Sequence, residues 1–126
     1  MRQTIWLALL GILSGCGTGD DQVARRLALL PPTPAEHRAG EQLFDRSCAP
    51  CHGAKAGGTD RGPPLAHRVY EPDHHSDQAF YLAARNGVAA HHWRFGNMPA
   101  QPHLTPANLA AIVGYVRWIQ RQTGVY

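Results

Sequence analysis

The chain has no acidic side chain after Asp77. All 9 carboxylates lie between Asp20 and Asp77, whereas Arg85, Arg94, Arg117 and Arg121 stand without an acid over the remainder. It has no internal repeat, no low-complexity segment, and no alternating apolar and polar run that would make a strand. No apolar run reaches the roughly 20 residues that a membrane-spanning helix needs. Cysteines number 3 and methionines 2. Each shortage excludes something. The short apolar run excludes a transmembrane reading. An excess of 12 basic over 9 acidic groups, a formal charge of +3, is too small to mark a nucleic-acid binder. Its one-sided distribution points at most to steering of an acidic partner toward one face, an effect that salt weakens. An odd cysteine count rules out a framework in which every thiol is paired.

The 126 residues that are present suit one domain preceded by a short processed leader. Hydrophobic residues at 44% are ordinary for a globular chain, but 13 Gly and 10 Pro imply much loop, so that a bound cofactor could take the place of missing core. Residues 1–15 carry an early positive charge at Arg2, the apolar run Ile5 to Leu13, and the small residues Ser14 and Gly15, the pattern of a secretory signal. Leu13-Ser14-Gly15-Cys16 resembles the lipobox of bacterial lipoproteins. That resemblance implies a diacylglycerol on the Cys16 sulfur, which would cap the odd thiol and hold the protein on the periplasmic side of a bacterial membrane. The competing reading is a cleaved leader followed by an incidental cysteine. Residues 16–33, polar, then Arg-rich, then punctuated by prolines, read as a tether with a short helical turn over Ala24–Leu30, and residues 34–126 as the domain.

Three helices are predicted in that domain, and the fold class is all-α. The first starts at Thr33, with Pro34 in the first helical position and Glu36 completing a capping box; its apolar face uses Ala39, Leu43 and Phe44. The second starts at Ser76 and stops at Asn86-Gly87. The third starts at Thr105-Pro106, places Leu109, Ile112, Val113, Val116 and Ile119 on one face, and ends near Gly124.

Cys48-Ala49-Pro50-Cys51-His52 is a C-x-x-C-H sequence, the haem-attachment signature. Two thiols three residues apart on a helical turn share a face, so each can form a thioether with one vinyl group, and the adjacent His52 can place an imidazole nitrogen on the iron. Half of a zinc site, a thioredoxin-like pair or a disulfide would use the same spacing. Zinc needs further ligands and no second Cys pair exists; a thioredoxin pair needs a βαβ context. With the leader set aside, Met98 is the remaining methionine, in Gly96-Asn97-Met98-Pro99, where Pro99 stiffens its presentation. A thioether there would fill the second axial position and raise the reduction potential. A core methionine beside a turn is the plain alternative, and His91 or His92 compete for the iron.

On these residues, together with Gly40-x-x-x-Phe44, Gly62-Pro63-Pro64-Leu65, Asn86-Gly87, Met98-Pro99 and Tyr115, the region from Pro34 to Tyr126 resembles a class I cytochrome c. The resemblance implies three to four helices wrapped around one covalently attached haem c. It also implies close packing of Gly40 against Tyr115, and a hydrogen bond from His52 to the Pro63 carbonyl. Trp93 and Arg94 are candidates to bond a haem propionate, and Phe95 to pack on the ring. The departure from the family pattern is the histidine content: His74-His75 and His91-His92 flank the second helix, with His103 beyond, and imidazoles suit copper or zinc. The expected function is that of a membrane-tethered electron carrier, not an enzyme, serving redox partner proteins. The alternatives are an open-site haem enzyme or sensor, and a copper-linked protein using the two His pairs.

Overall fold

The computed structural model describes residues 19–126; the expected leader over 1–15 and the lipidation candidate Cys16 lie outside the described residues. Five α-helices follow in order: α1 Gly19–Ala28, α2 Arg38–Ser47, α3 Ala49–His52, α4 Asp77–Asn86 and α5 Pro106–Thr123. Short 3-10 turns fall at Ala35–His37, Ala54–Ala56 and Arg68–Tyr70. Among the described residues the only β-pairing is a single bridge between Val88 and Met98, and no helix is long and apolar enough to cross a membrane.

The spine is α5, and its sequence dictates where it begins. The Thr105 hydroxyl accepts from the Asn108 amide at 3.1 Å while the Asn108 side chain accepts from the Thr105 amide at 3.1 Å, satisfying donors that a helix start leaves open. Leu109, Ile112, Val113, Val116 and Ile119 are all buried as their spacing predicts, each contributing about 1.5–3 kcal/mol of transfer free energy. The α4 boundaries agree with the expectation as well, ending at Gly87.

Helix α2 departs from it. The capping box expected at Thr33 and Glu36 does not form: the chain enters through the 3-10 turn without a side-chain cap, and the Thr33 hydroxyl donates to Glu41 at 2.6 Å instead. Ala39, expected on the apolar face, is exposed; Gly40 and Phe44 are buried, and Leu43 packs against the core. Gly40 is where α2 crosses α5, and a Cβ added there would lie 2.1 Å from the Ala111 carbonyl oxygen and 2.9 Å from Tyr115 Cβ. No other residue fits that crossing. Phe44 and Tyr115 then meet with ring centroids 5.6 Å apart, a favourable tilted pair.

The stretch ahead of the domain is more ordered than its tether-like composition suggests. Instead of one turn over Ala24–Leu30, α1 has ten residues, and Val23, Leu27 and Leu30 pack against the core. Arg26 Nη1 donates to the Thr123 carbonyl at 2.7 Å, joining α1 to the end of α5.

Candidate functional site

The C-x-x-C-H residues sit on one tight turn. Cys48 immediately precedes α3, the His52 amide donates to the Cys48 carbonyl at 2.8 Å, and both thiols are free, Cys48 half-buried and Cys51 exposed. Burial, with a smaller contribution from Cys51, pushes the Cys48 thiol up to about 11. The loop after α3 doubles back through Leu65 and Ala66, whose amides donate to the Ala56 carbonyl at 2.9 and 3.1 Å. This return brings Pro63 over His52, whose Nδ1 lies 2.9 Å from the Pro63 carbonyl oxygen. Only a protonated Nδ1 can donate there, so Nε2 keeps its lone pair. Burial lowers the His52 pKa, outweighing the opposite pull of Pro63, and favours the same neutral form.

Cys48, Cys51, His52 and Pro63 line one side of a largely apolar cleft of about 610 Å³, and Met98 lines it too. Met98 is held by backbone: its amide donates to the Val88 carbonyl at 3.0 Å and its carbonyl accepts from the Val88 amide at 2.9 Å. Gly87, with φ of 74°, makes this possible, since a Cβ there would stand 2.7 Å from the Met98 carbonyl oxygen. Below the bridge, the Gln101 amide donates to the Ala84 carbonyl at 2.6 Å and ties the outgoing segment to α4. Inside the loop, the Asn97 side chain accepts from the Ala90 amide at 3.0 Å. Nothing in the sequence marks Val88 as the partner of Met98, because a one-residue bridge has no periodicity.

The far wall carries Tyr70, Phe80, Leu82, His75, His91, His92, Trp93 and Phe95. Trp93 Nε1 is buried with no hydrogen-bond partner. Burial raises the Tyr70 pKa and nearby Trp93 partly offsets the rise, but the pair lacks hydrogen-bonding geometry. A buried N–H without an acceptor costs about 1–3 kcal/mol, so this donor suits an acidic group on a bound molecule. Arg94, the other propionate candidate, is exposed and does not line the cleft.

The residues therefore fit a covalently held planar cofactor: two free thiols on one turn, an imidazole with a spare lone pair, an apolar enclosure and an orphaned donor. The histidine pairs behave differently from one another. His74, His75 and His92 each bring a ring nitrogen to within 4.8 Å of the others, the one such group of metal-ligating side chains among the described residues, while His91 lies beside His92 with ring centroids 4.4 Å apart. Cys48, Cys51 and His52 do not form a group of this kind among the described residues.

The missed residue of greatest structural consequence is Arg117. Counted in the sequence only among the basic groups of the acid-free stretch, it is buried. Nη1 donates to the Tyr70 carbonyl at 2.8 Å and to Gln120 at 2.6 Å, Nη2 donates to the His75 carbonyl, and the guanidinium carbon stands 4.8 Å from the Phe80 ring centroid. Gln120 adds hydrogen bonds to the Leu65 carbonyl at 2.8 Å and the Tyr70 carbonyl at 3.0 Å. Together they fasten the far wall of the cleft to α5. An arginine one position from Val116 gives no sequence sign of this.

A family model described as Cytochrome c matches residues 37–120, from the turn before α2 into α5. No curated protein and no solved structure matches the chain. The matched span contains the thiol pair, His52, Met98 and the enclosing wall, and the chain belongs to the cytochrome c family, haem-binding electron-transfer proteins that carry covalently attached haem c.

Proposed function

We propose that this cytochrome is a tethered carrier of single electrons in which His52 and Met98 take the two axial positions of the haem iron. The observation that supports it best is that the backbone fixes both residues on one cleft: Pro63 holds His52 through Nδ1, and Val88 holds Met98 through two hydrogen bonds. When bound, haem c supplies a one-electron iron couple. The chain supplies the rest. His52 offers Nε2 in a fixed tautomer. Phe44, Leu65, Ile112 and Val116 exclude water from the cleft, and a wall fastened to α5 by Arg117 limits rearrangement. Were His52 and Met98 both to ligate the iron, no site on it would be left open, which favours a carrier over an enzyme or gas sensor.

Leu82 and Phe95, 48% and 38% exposed, both line the cleft. They support docking of donor and acceptor proteins at this mouth. The lipobox-like Leu13-Ser14-Gly15-Cys16 supports lipid attachment at Cys16 and placement on the periplasmic side of a bacterial membrane.

The test of the axial pair is the ferric spectrum. The wild-type protein is expected to show the methionine-to-iron charge-transfer band; Met98→Ala is expected to keep the haem attached, lose that band and admit small ligands. A band that survives the substitution overturns the reading.

A further inference from the structure

We propose that His74, His75 and His92 form a three-imidazole site for a divalent transition-metal ion, Cu2+ or Zn2+, on the rim of the haem cleft. The site requires His92 to be free of the iron, and rests to that extent on the proposed pairing of His52 with Met98.

The fold builds the cluster from two distant segments. The turn at Glu71, whose carbonyl accepts from the His74 and His75 amides at 3.1 and 2.8 Å, keeps two successive histidines from diverging; their ring centroids are 4.7 Å apart. The loop before Met98 brings in His92, with ring centroids 5.2 Å from both His74 and His75. His74 Nε2 and His92 Nε2 face each other at 3.4 Å. A metal bound at about 2.0–2.1 Å to two nitrogens at the tetrahedral angle holds them roughly 3.3 Å apart. One edge of the coordination polyhedron is thus in place without the ion. The other edges are no longer than 4.8 Å, and His74 and His92 are exposed, so ring rotation can close them.

The third ligand is oriented by the backbone. His75 Nδ1 donates to the Val69 carbonyl at 2.6 Å, which fixes the tautomer and leaves Nε2 as the donor atom for a metal, the arrangement by which outer partners usually set a ligating imidazole. His75 and His92 also favour the neutral state that ligation requires. Burial, then the charges of His74, His91 and Arg117, lower the His75 pKa against the pull of Val69. Partial desolvation, then its three histidine neighbours, lower that of His92. His91 stays outside the set: its Nδ1 donates to the Ala89 carbonyl at 2.9 Å, and its ring packs on His92. With three nitrogen ligands and an exposed side, a fourth position remains for water. Such a donor set selects ions at the copper and zinc end of the divalent series, with Cu2+ bound the more tightly.

The experiment is titration of the haem-loaded protein with Cu2+ and, separately, Zn2+, followed by calorimetry and chelator competition, with electron paramagnetic resonance of the copper form. One equivalent per haem is expected, with nitrogen hyperfine structure. His74→Ala and His92→Ala should each weaken binding at least about tenfold, whereas His103→Ala should leave it unchanged. The haem absorption of each variant reports that the protein is folded and loaded. Absence of a stoichiometric site overturns the proposal, as does binding that persists in the His74→Ala/His92→Ala double variant. A His92→Ala protein with an altered haem ligand spectrum also overturns it, since His92 would then belong to the iron. Failure of the Met98 reading is seen separately, in the ferric band of the metal-free protein.

Discussion

Arg117 Nε donates to Asp77 Oδ1 at 2.7 Å, yet the two partners live in different media: the Arg117 side chain is 8% exposed and that of Asp77 64%. The pair joins the spine to the first turn of α4, and the burden is unequal. Asp77 neutralises a charge that other acceptors also hold, while Arg117 serves Tyr70, His75 and Gln120 at once.

This inequality sets the first prediction. Arg117→Leu strands the His75 carbonyl, leaves the Tyr70 carbonyl to Gln120 alone, and is expected to cost about 3 kcal/mol. Asp77→Asn, at a largely solvated position, is expected to cost about 1 kcal/mol or less. Guanidinium unfolding of the haem-loaded protein, followed by haem absorption, measures both; equal losses would contradict the account of the far wall.

Gly40→Ala tests the crossing of α2 and α5. Its Cβ would meet a backbone oxygen, which cannot rotate away, so the helices must separate. A loss of about 3 kcal/mol is expected, at the upper end of overpacking effects. By contrast Ala39→Ser, on the exposed side of the same turn, should change little.

Trp93→Phe removes the orphaned donor while keeping an aromatic wall. In the haem-loaded protein this N–H is expected to serve a propionate. Its loss leaves more uncompensated negative charge near the iron, which favours the ferric state and lowers the reduction potential. Redox titration reads the shift, and an unchanged potential would mean that Trp93 only packs.

The histidine cluster makes a pH prediction for the metal-free protein. His75 has a folded-state pKa below the ordinary 6.5. The unfolded chain therefore takes up protons first on acidification. The contribution of His75 to stability is present above 6.5 and is lost as the pH falls through its depressed folded value. Nuclear magnetic resonance of the reduced protein should find the His75 midpoint below 6.5. In His75→Asn, whose amide still offers Val69 a donor, the thermal midpoint should fall less steeply across the same window.

Lipidation is tested at its one chemical requirement. Cys16→Ser is expected to release the cytochrome from membranes with its spectrum intact; continued retention would point to another anchor.

What was legible in the sequence followed from local chemistry. Thr105-Pro106 and the Leu109 to Ile119 spacing located α5, and Asn86-Gly87 located the end of α4, because caps and apolar stripes act within one or two turns. The Pro63 contact to His52 and the Gly40 crossing were legible only through family resemblance, since neither has a periodic signature. The Thr33-Glu36 pattern misled because Glu41 captured the Thr33 hydroxyl. Arg117 was opaque for a related reason: a charge is buried when several acceptors converge on it, and those acceptors come from segments far along the chain. Helix α1 was partly readable in Val23, Leu27 and Leu30, at i, i+4 and i+7, but its arginines gave it the look of a linker.

Helix α1 also changes what an anchor at Cys16 would mean. Gly17 and Thr18 alone separate that sulfur from a helix bolted through Arg26 to the far end of the spine. At no more than about 3.5 Å per residue, such a connection reaches roughly 10 Å at most. With such an anchor the cytochrome would ride close to the lipid surface, meeting neighbours in the plane of the membrane rather than reaching far above it.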